Sequence, residues 1–162
     1  LNKKKPEIIY AGTDNNILWK TTDNGLTWNK IEHKVLPNRW ITNIVVKLNN
    51  PNVVYVTYNG FRNGDRTPYV VKSTNGGKRW RNISKNLPQA PVNDAHLVGR
   101  KLFVASDLGV FVTKTKRIRW LKLGRGLPNV PVNVIRYVPK NKSIYAGTFG
   151  RGVWKVRAPR RF

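Results

Sequence analysis

Four short runs of β-forming residues recur along this chain, and no other feature constrains its fold as strongly. They are Ile8-Ile9-Tyr10-Ala11-Gly12-Thr13, Val53-Val54-Tyr55-Val56-Thr57, Lys101-Leu102-Phe103-Val104-Ala105-Ser106 and Ser143-Ile144-Tyr145-Ala146-Gly147-Thr148. Their aromatics Tyr10, Tyr55, Phe103 and Tyr145 fall roughly 45 residues apart, a period typical of stacked repeat units. Each run is followed by a turn and a second β-type run, near Ile17, Tyr69, Val110 and Val153. A Leu-Pro pair recurs at Leu36-Pro37, Leu87-Pro88 and Leu127-Pro128. After it a strand opens on Thr42-Asn43, Val92-Asn93 or Val132-Asn133.

The runs are rich in Val, Ile, Tyr, Trp and Thr and are divided by Gly, Pro and Asn. No stretch repeats its apolar residues at the 3.6-residue period, so helix should be nearly absent. A period of ~40–50 residues with four strands per unit predicts propeller blades. Lettering strands A to D from the axis outward, the first blade supplies B over 7–13, C over 16–22 and D over 27–32. The second has A over 40–48, B over 52–58, C over 68–74 and D over 79–84. The third has A over 92–98, B over 101–106, C over 109–114 and D over 119–123. The fourth has A over 132–138, B over 142–148 and C over 152–157. The expected fold is all-β: one partial β-propeller of about three and a half four-stranded blades. Blade boundaries are expected near 1–36, 37–88, 89–128 and 129–162, with the ring incomplete within this chain. The inner edge of 7–13 and the outer edge of 152–157 should then be open, and open strand edges invite pairing.

Between strands C and D of the first blade stands Thr21-Thr22-Asp23-Asn24-Gly25-Leu26-Thr27-Trp28. Asp23 can accept hydrogen bonds from the N–H groups of its own turn, and Gly25 can adopt a positive φ without a steric penalty. Ser73-Thr74-Asn75-Gly76-Gly77-Lys78-Arg79-Trp80 keeps this frame with Asn75 in place of the acid. Thr113-Lys114-Thr115-Lys116-Arg117-Ile118-Arg119-Trp120 keeps only its ends, Thr113 and Trp120. The three tryptophans are expected in equivalent, largely buried positions.

The first copy resembles the Asp-box of BNR-type repeats, Ser/Thr-x-Asp-x-Gly-x-Thr-Trp, at every defined position: Thr21, Asp23, Gly25, Thr27 and Trp28. Families that carry it include sialidases, xyloglucanases, sortilin-type receptors and large secreted bacterial proteins, and in them the box is structural. The resemblance to the secreted bacterial group rests on two stretches. One is Tyr69-Val70-Val71-Lys72-Ser73-Thr74-Asn75-Gly76-Gly77 with Asn82-Ile83-Ser84-Lys85-Asn86-Leu87-Pro88. The other is Ala146-Gly147-Thr148-Phe149-Gly150-Arg151-Gly152-Val153-Trp154. It implies the C-terminal portion of a larger ring, consistent with the lack of Met, including at position 1.

The acids are Glu7, Asp14, Asp23, Glu32, Asp65, Asp94 and Asp107. With Asp23 assigned to its turn, few remain for a paired-carboxylate glycosidase, and no catalytic residue is assigned. The loops after the B strands should gather on one face with Arg39, Trp40, Tyr58, Phe61, Arg62, Asp65, Arg66, Phe149 and Arg151. Arginine with aromatics can grip a carboxylate or phosphate through the planar guanidinium fork. A sialidase-like reading would cast Arg62, Arg66, Arg151, Asp65 and Tyr58 as its arginines, acid and nucleophile, although their spacing does not require it. His33 and His96 stand apart, so no metal-ligand spacing and no cofactor site is expected. Cysteine is absent, which excludes disulfides and thiolate chemistry.

Lys and Arg number 31 against 7 Asp and Glu, a formal charge of +24. A surface so basic attracts polyanions and repels copies of itself. Lys3-Lys4-Lys5 and Arg160-Arg161 form short terminal clusters. Lys78, Arg79, Arg81, Lys116, Arg117 and Arg119 should share one rim beside successive box turns. The bland alternative is a solvated basic surface. No apolar run approaches the ~20 residues of a membrane helix.

Three functions remain open. The first is a noncatalytic interaction or structural module of a larger extracellular, cell-surface or assembly protein, partnered by the remaining blades. The second is a polyanion-binding module for nucleic acid or acidic glycan, as in a virion or similar particle. The third is part of a glycoside hydrolase.

Overall fold

The computed structural model describes residues 5–124 and 126–159. Lys3-Lys4, Arg160-Arg161 and the Arg125 of the last inter-blade connection lie outside the described residues. The strands form four consecutive antiparallel sheets. The first contains β1 (Ile9–Gly12), β2 (Leu18–Thr21) and β3 (Asn29–Ile31). The second contains β4 (Trp40–Lys47), β5 (Asn50–Asn59), β6 (Tyr69–Ser73) and β7 (Arg81–Asn82). The third contains β8 (Val92–Val98), β9 (Lys101–Ser106), β10 (Gly109–Lys114) and β11 (Leu121–Lys122). The last contains β12 (Val132–Val138), β13 (Ser143–Thr148) and β14 (Val153–Arg157). Each sheet is a meander in chain order, as expected for propeller blades. Only two short 3₁₀ turns, Phe61–Asn63 and Pro139–Asn141, interrupt the β-structure of the described residues.

The core is three apolar layers, one between each pair of neighbouring blades. Leu18, Ile41, Val54, Val56, Tyr58, Val71 and Trp80 fill the first. Tyr55, Val70, Ile83, Leu102, Val104, Phe111 and Trp120 are among those filling the second. Phe103, Val110, Val112, Ile135, Ile144 and Ala146 are among those filling the third. Val54 and Val56 face one layer and Tyr55 the next, because successive strand residues point to opposite faces. A blade buried on both faces therefore reads as a continuous apolar run, as in Val53-Val54-Tyr55-Val56. Each fully buried Val, Leu or Ile contributes about 1.5–3 kcal/mol.

The inner strands β4, β8 and β12 pack side by side. Each carries a bulge near its start, at the register shifts Ile41/Asn43, Val92/Asp94 and Val132/Val134. This corrects the repeat alignment: Ile41-Thr42, not Thr42-Asn43, corresponds to Val92-Asn93 and Val132-Asn133. The bulge residue is the extra one in its pairing, and the side chains of Thr42 and Asn93 reach the next blade. The ring does not close. Among the described residues β1 pairs only with β2, and β14 only with β13.

Candidate functional site

The 21–28 turn is held by its own side chains. The Thr21 hydroxyl donates to Asp23 Oδ1 at 2.6 Å and accepts from Gly25 N at 3.0 Å. Asp23 Oδ1 also accepts from Thr27 N at 2.9 Å, and Oδ2 accepts from the Thr27 hydroxyl. Asn24 and Gly25 have φ of 60° and 96°, the left-handed conformations such a turn requires. Hydrogen bonds from Thr21 and then Thr27 lower the Asp23 pKa to about 2. In the second copy Asn75 Oδ1 accepts from Arg79 N at 2.8 Å and Ser73 Oγ from Gly77 N at 2.9 Å. Asn can therefore replace the acid toward the backbone. In the third copy Thr113 Oγ1 accepts from Arg119 N at 2.9 Å.

The tryptophans are not equivalent in burial, contrary to expectation. Trp80 and Trp120 are 5% and 3% exposed, whereas Trp28 is 40% exposed. Each box tryptophan lies in the layer against the preceding blade. Trp120 Nε1 donates across it to Ile83 O at 2.9 Å, and Trp80 Nε1 donates within its turn to Gly77 O. Among the described residues no blade precedes the first, and Trp28 lacks the cover that Trp80 and Trp120 have.

The sequence reading missed Asp94. It is buried on β8, and its carboxylate joins three blades. Oδ1 accepts from Ala95 N at 2.9 Å and from the Asn43 side-chain amide of β4. Oδ2 accepts from Ile135 N and Arg136 Nη1 of β12, both at 2.8 Å. No local signal marks it, because Asn43 and Ile135 reach it from the neighbouring blades. Beside Asp94 the inner strands line an axial concavity of about 850 Å³ that includes Lys47, His96 and Arg136. Burial lowers the His96 pKa, with Asp94 opposing that shift and Arg136 adding to it.

The loops after the B strands lie beside the entries to the A strands, as in Ile41 N to Thr13 O and Phe149 N to Pro131 O. On the second blade four expected residues come together. Arg39 Nε and the Tyr69 hydroxyl both donate to Asp65 Oδ2, at 2.9 and 2.8 Å. The Arg62 guanidinium lies 4.5 Å from the Trp40 ring centre, a cation–π contact. Burial tends to raise the Asp65 pKa, but hydrogen bonds from Thr67, Tyr69 and Arg39 outweigh it and hold the group well below the usual range. Phe61 and Arg66 are exposed on the same insertion, and Phe149 and Arg151 on the last blade. No hydrogen bond or ion pair among the described residues ties those four to the Arg39–Asp65 pair. Tyr58 does not belong to this face. It alternates inward on β5, is fully buried, and its hydroxyl has no hydrogen-bond partner among the described residues. Burial pushes its phenol well above its usual pKa, so it cannot serve as an exposed nucleophile.

Lys78, Arg79, Arg81, Lys116, Arg117 and Arg119 are all exposed. None is in an ion pair with a carboxylate among the described residues. Lys72 Nζ joins the two turns by donating to Thr115 O at 3.0 Å. Its pKa is lowered by burial and then by the charges of Arg81 and Lys47, and that of Lys20 by burial and then by Lys78. Arg81 thus repels Lys72, and Lys78 repels Lys20.

No family model and no curated protein matches the chain. The solved structures similar to it are propellers. A YCF48 structure bound to D1 peptide aligns at a TM-score of 0.69 and 16% identity, over 96% of this chain and 49% of that one. A GH74 xyloglucanase from Xanthomonas campestris aligns at 0.72 and 12%, over 96% of this chain and 27% of that one. The Cps50 (Swd1) β-propeller domain from Myceliophteria thermophila aligns at 0.68 and 7%, over 95% and 49%. The chain spans about half the length of the YCF48 and Swd1 chains and about a quarter of the xyloglucanase. At these identities the likeness extends to the fold alone: the chain is a β-propeller segment.

Proposed function

We propose that the chain is a noncatalytic interaction module, a propeller segment of an extracellular or cell-surface assembly whose remaining blades complete the ring. The observation that carries this is how four of its seven acids are used. Asp23 is held by its own turn, Asp65 by Arg39, Tyr69 and Thr67, and Asp94 by three blades. Asp107 accepts from the Asn93 amide of its own blade at 2.8 Å. A glycosidase needs two carboxyl groups facing one substrate, and these four are engaged in holding loops and blades. Membership of the Asp-box families fits the 21–28 turn and belongs to the same proposal. Incubating the purified chain with a sialoside and with xyloglucan tests it, with no turnover expected. Turnover abolished by Asp65→Ala would overturn it.

The rim of six exposed cations supports a second reading, a polyanion-binding surface. Neutralising phosphates releases counterions, so log affinity should fall against log salt with a slope of about −0.9 per phosphate contacted on B-DNA. Salt titration of binding to heparin and to duplex DNA tests it. Elution of the chain unchanged by Ser in place of Lys78, Arg79, Lys116 and Arg117 would remove this reading.

A further inference from the structure

The second blade carries a connection that its repeat does not call for, and that connection is held by its own hydrogen bonds. Residues 60–68 join β5 to β6, where 13–17, 107–108 and 149–152 make the equivalent turns in the other blades. Asn63 N and Asp65 N both donate to Gly60 O, at 2.8 and 3.1 Å, and Phe61 N donates to Asn59 Oδ1 at 2.7 Å. Asp65 then ties the loop to its surroundings. Its Oδ1 accepts from Thr67 N at 2.8 Å, and its Oδ2 accepts from Arg39 ahead of β4 and from Tyr69 on β6. Gly60 is needed where the loop closes, because a Cβ there would lie 2.8 Å from both Asp65 Cβ and Asp65 O.

The residues that hold this loop are not the ones it presents. Phe61, Arg62 and Arg66 are exposed, Phe61 by 67%. The Arg62 guanidinium lies over the Trp40 ring, and Trp40 itself remains 37% exposed. Among the described residues no carboxylate pairs with Arg62 or Arg66. Stacking on the indole fixes the plane of the guanidinium, so its fork of N–H donors can meet a carboxylate with little further ordering. Arginine and tryptophan are also the side chains most often responsible for binding energy at protein interfaces.

The chemistry of the patch selects its occupant. Two arginines beside an exposed phenyl ring suit an isolated carboxylate next to an apolar side chain. A repeating polyanion is better matched by the row of cations beside the box turns. A sugar ring would stack on an open aromatic face, and at Trp40 the guanidinium already covers it. The formal charge of +24 attracts acidic segments to the whole surface. We infer that the 60–68 insertion docks an acidic peptide segment of a partner protein, with Arg62 gripping an Asp or Glu side chain and Phe61 covering an apolar residue beside it. Asp65 and Gly60 are positioning residues for that grip. This rests on the interaction-module reading and names where the module binds and what it takes.

A library of random peptides displayed on phage, selected in parallel on the chain and on Arg62→Ala, tests it. The chain should enrich sequences with Asp or Glu next to an apolar residue, and Arg62→Ala should not. The most enriched peptide, labelled with fluorescein, is then titrated by anisotropy. Arg62→Ala should weaken its binding about tenfold or more. Arg62→Lys should weaken it nearly as much, because an ammonium keeps the charge and loses the fork. Gly60→Ala removes no charge but displaces Asp65, and should weaken it by about threefold. Serine in place of Lys78, Arg79, Lys116 and Arg117 should leave it nearly unchanged, and an unaltered Tm shows that the Arg62 variants remain folded. Equal enrichment of the same acidic sequences on Arg62→Ala would overturn the proposal. So would an affinity that follows the four serine substitutions and not Arg62, or a selection that enriches no acidic sequence. Polygalacturonate is added in a parallel NMR titration: if it shifts the Trp40 indole N–H and the selected peptide does not, the occupant is an acidic glycan and the peptide assignment is wrong. Turnover of the sialoside or xyloglucan would instead defeat the module reading, so the two failures are distinguishable.

Discussion

Replacing Asp94 by alanine removes an acceptor shared by three blades, and its cost follows from the groups left behind. Ala95 N and Ile135 N are backbone donors of residues 3% and 0% exposed, and both lose their carboxylate partner. A buried donor left unsatisfied costs about 1–3 kcal/mol. With the Asn43 amide stranded as well, the total should be about 3–5 kcal/mol, the sum of the buried groups left without a partner. Arg136 adds little, because its side chain is 63% exposed against 7% for Asp94 and water screens it. In urea, a loss of about 4 kcal/mol should lower the unfolding midpoint by roughly 2 M at the m-values usual for small proteins. Arg136→Ala should cost less than about 1 kcal/mol. Asp94→Asn should fall between them, since its amide sets a donor against donors already present. If Asp94→Ala shifts the midpoint no more than Arg136→Ala, the carboxylate does not couple the blades and the reasoning fails.

The tryptophans should separate sharply in denaturant: Trp80→Ala and Trp120→Ala each cost about 3–5 kcal/mol as buried aromatics, and Trp28→Ala far less. Equal losses would contradict the uncovered first blade. The Asp23 carboxyl, followed by NMR, should titrate near 2, below its unfolded value. Its stabilisation is therefore full above the unfolded pKa and is lost as pH falls through about 2, and a midpoint near the ordinary carboxylate value would refute the turn geometry. Tyr58→Phe removes a buried hydroxyl without a partner, so it should leave stability unchanged or raise it by up to about 1 kcal/mol. A marked loss in thermal unfolding would mean the hydroxyl is satisfied.

The blades could be read from the repeat alone. Strand order and the place of the C–D turns were legible in the repeat, because each depends on neighbours within one meander; the outer strands expected over 79–84 and 119–123 shrink to Arg81–Asn82 and Leu121–Lys122. The 21–28 turn was legible for the same reason, since the side chains of Thr21, Asp23 and Thr27 bond one another and the turn's own backbone. What lies between blades was not legible. Tyr58 read as a loop-face residue because its place near the end of its strand was visible, while the layer it packs into is built from two blades. Trp28 read like Trp80 because the local motif is the same, yet burial of either depends on a preceding blade, which among the described residues only Trp80 has. Asp94 was one acid among seven until the fold brought Asn43 and Ile135 to it from about 40–50 residues away along the chain. Tertiary structure alone decided these positions, because a residue's exposure and partners across a propeller layer are set by the neighbouring blade, whose approach no local pattern encodes.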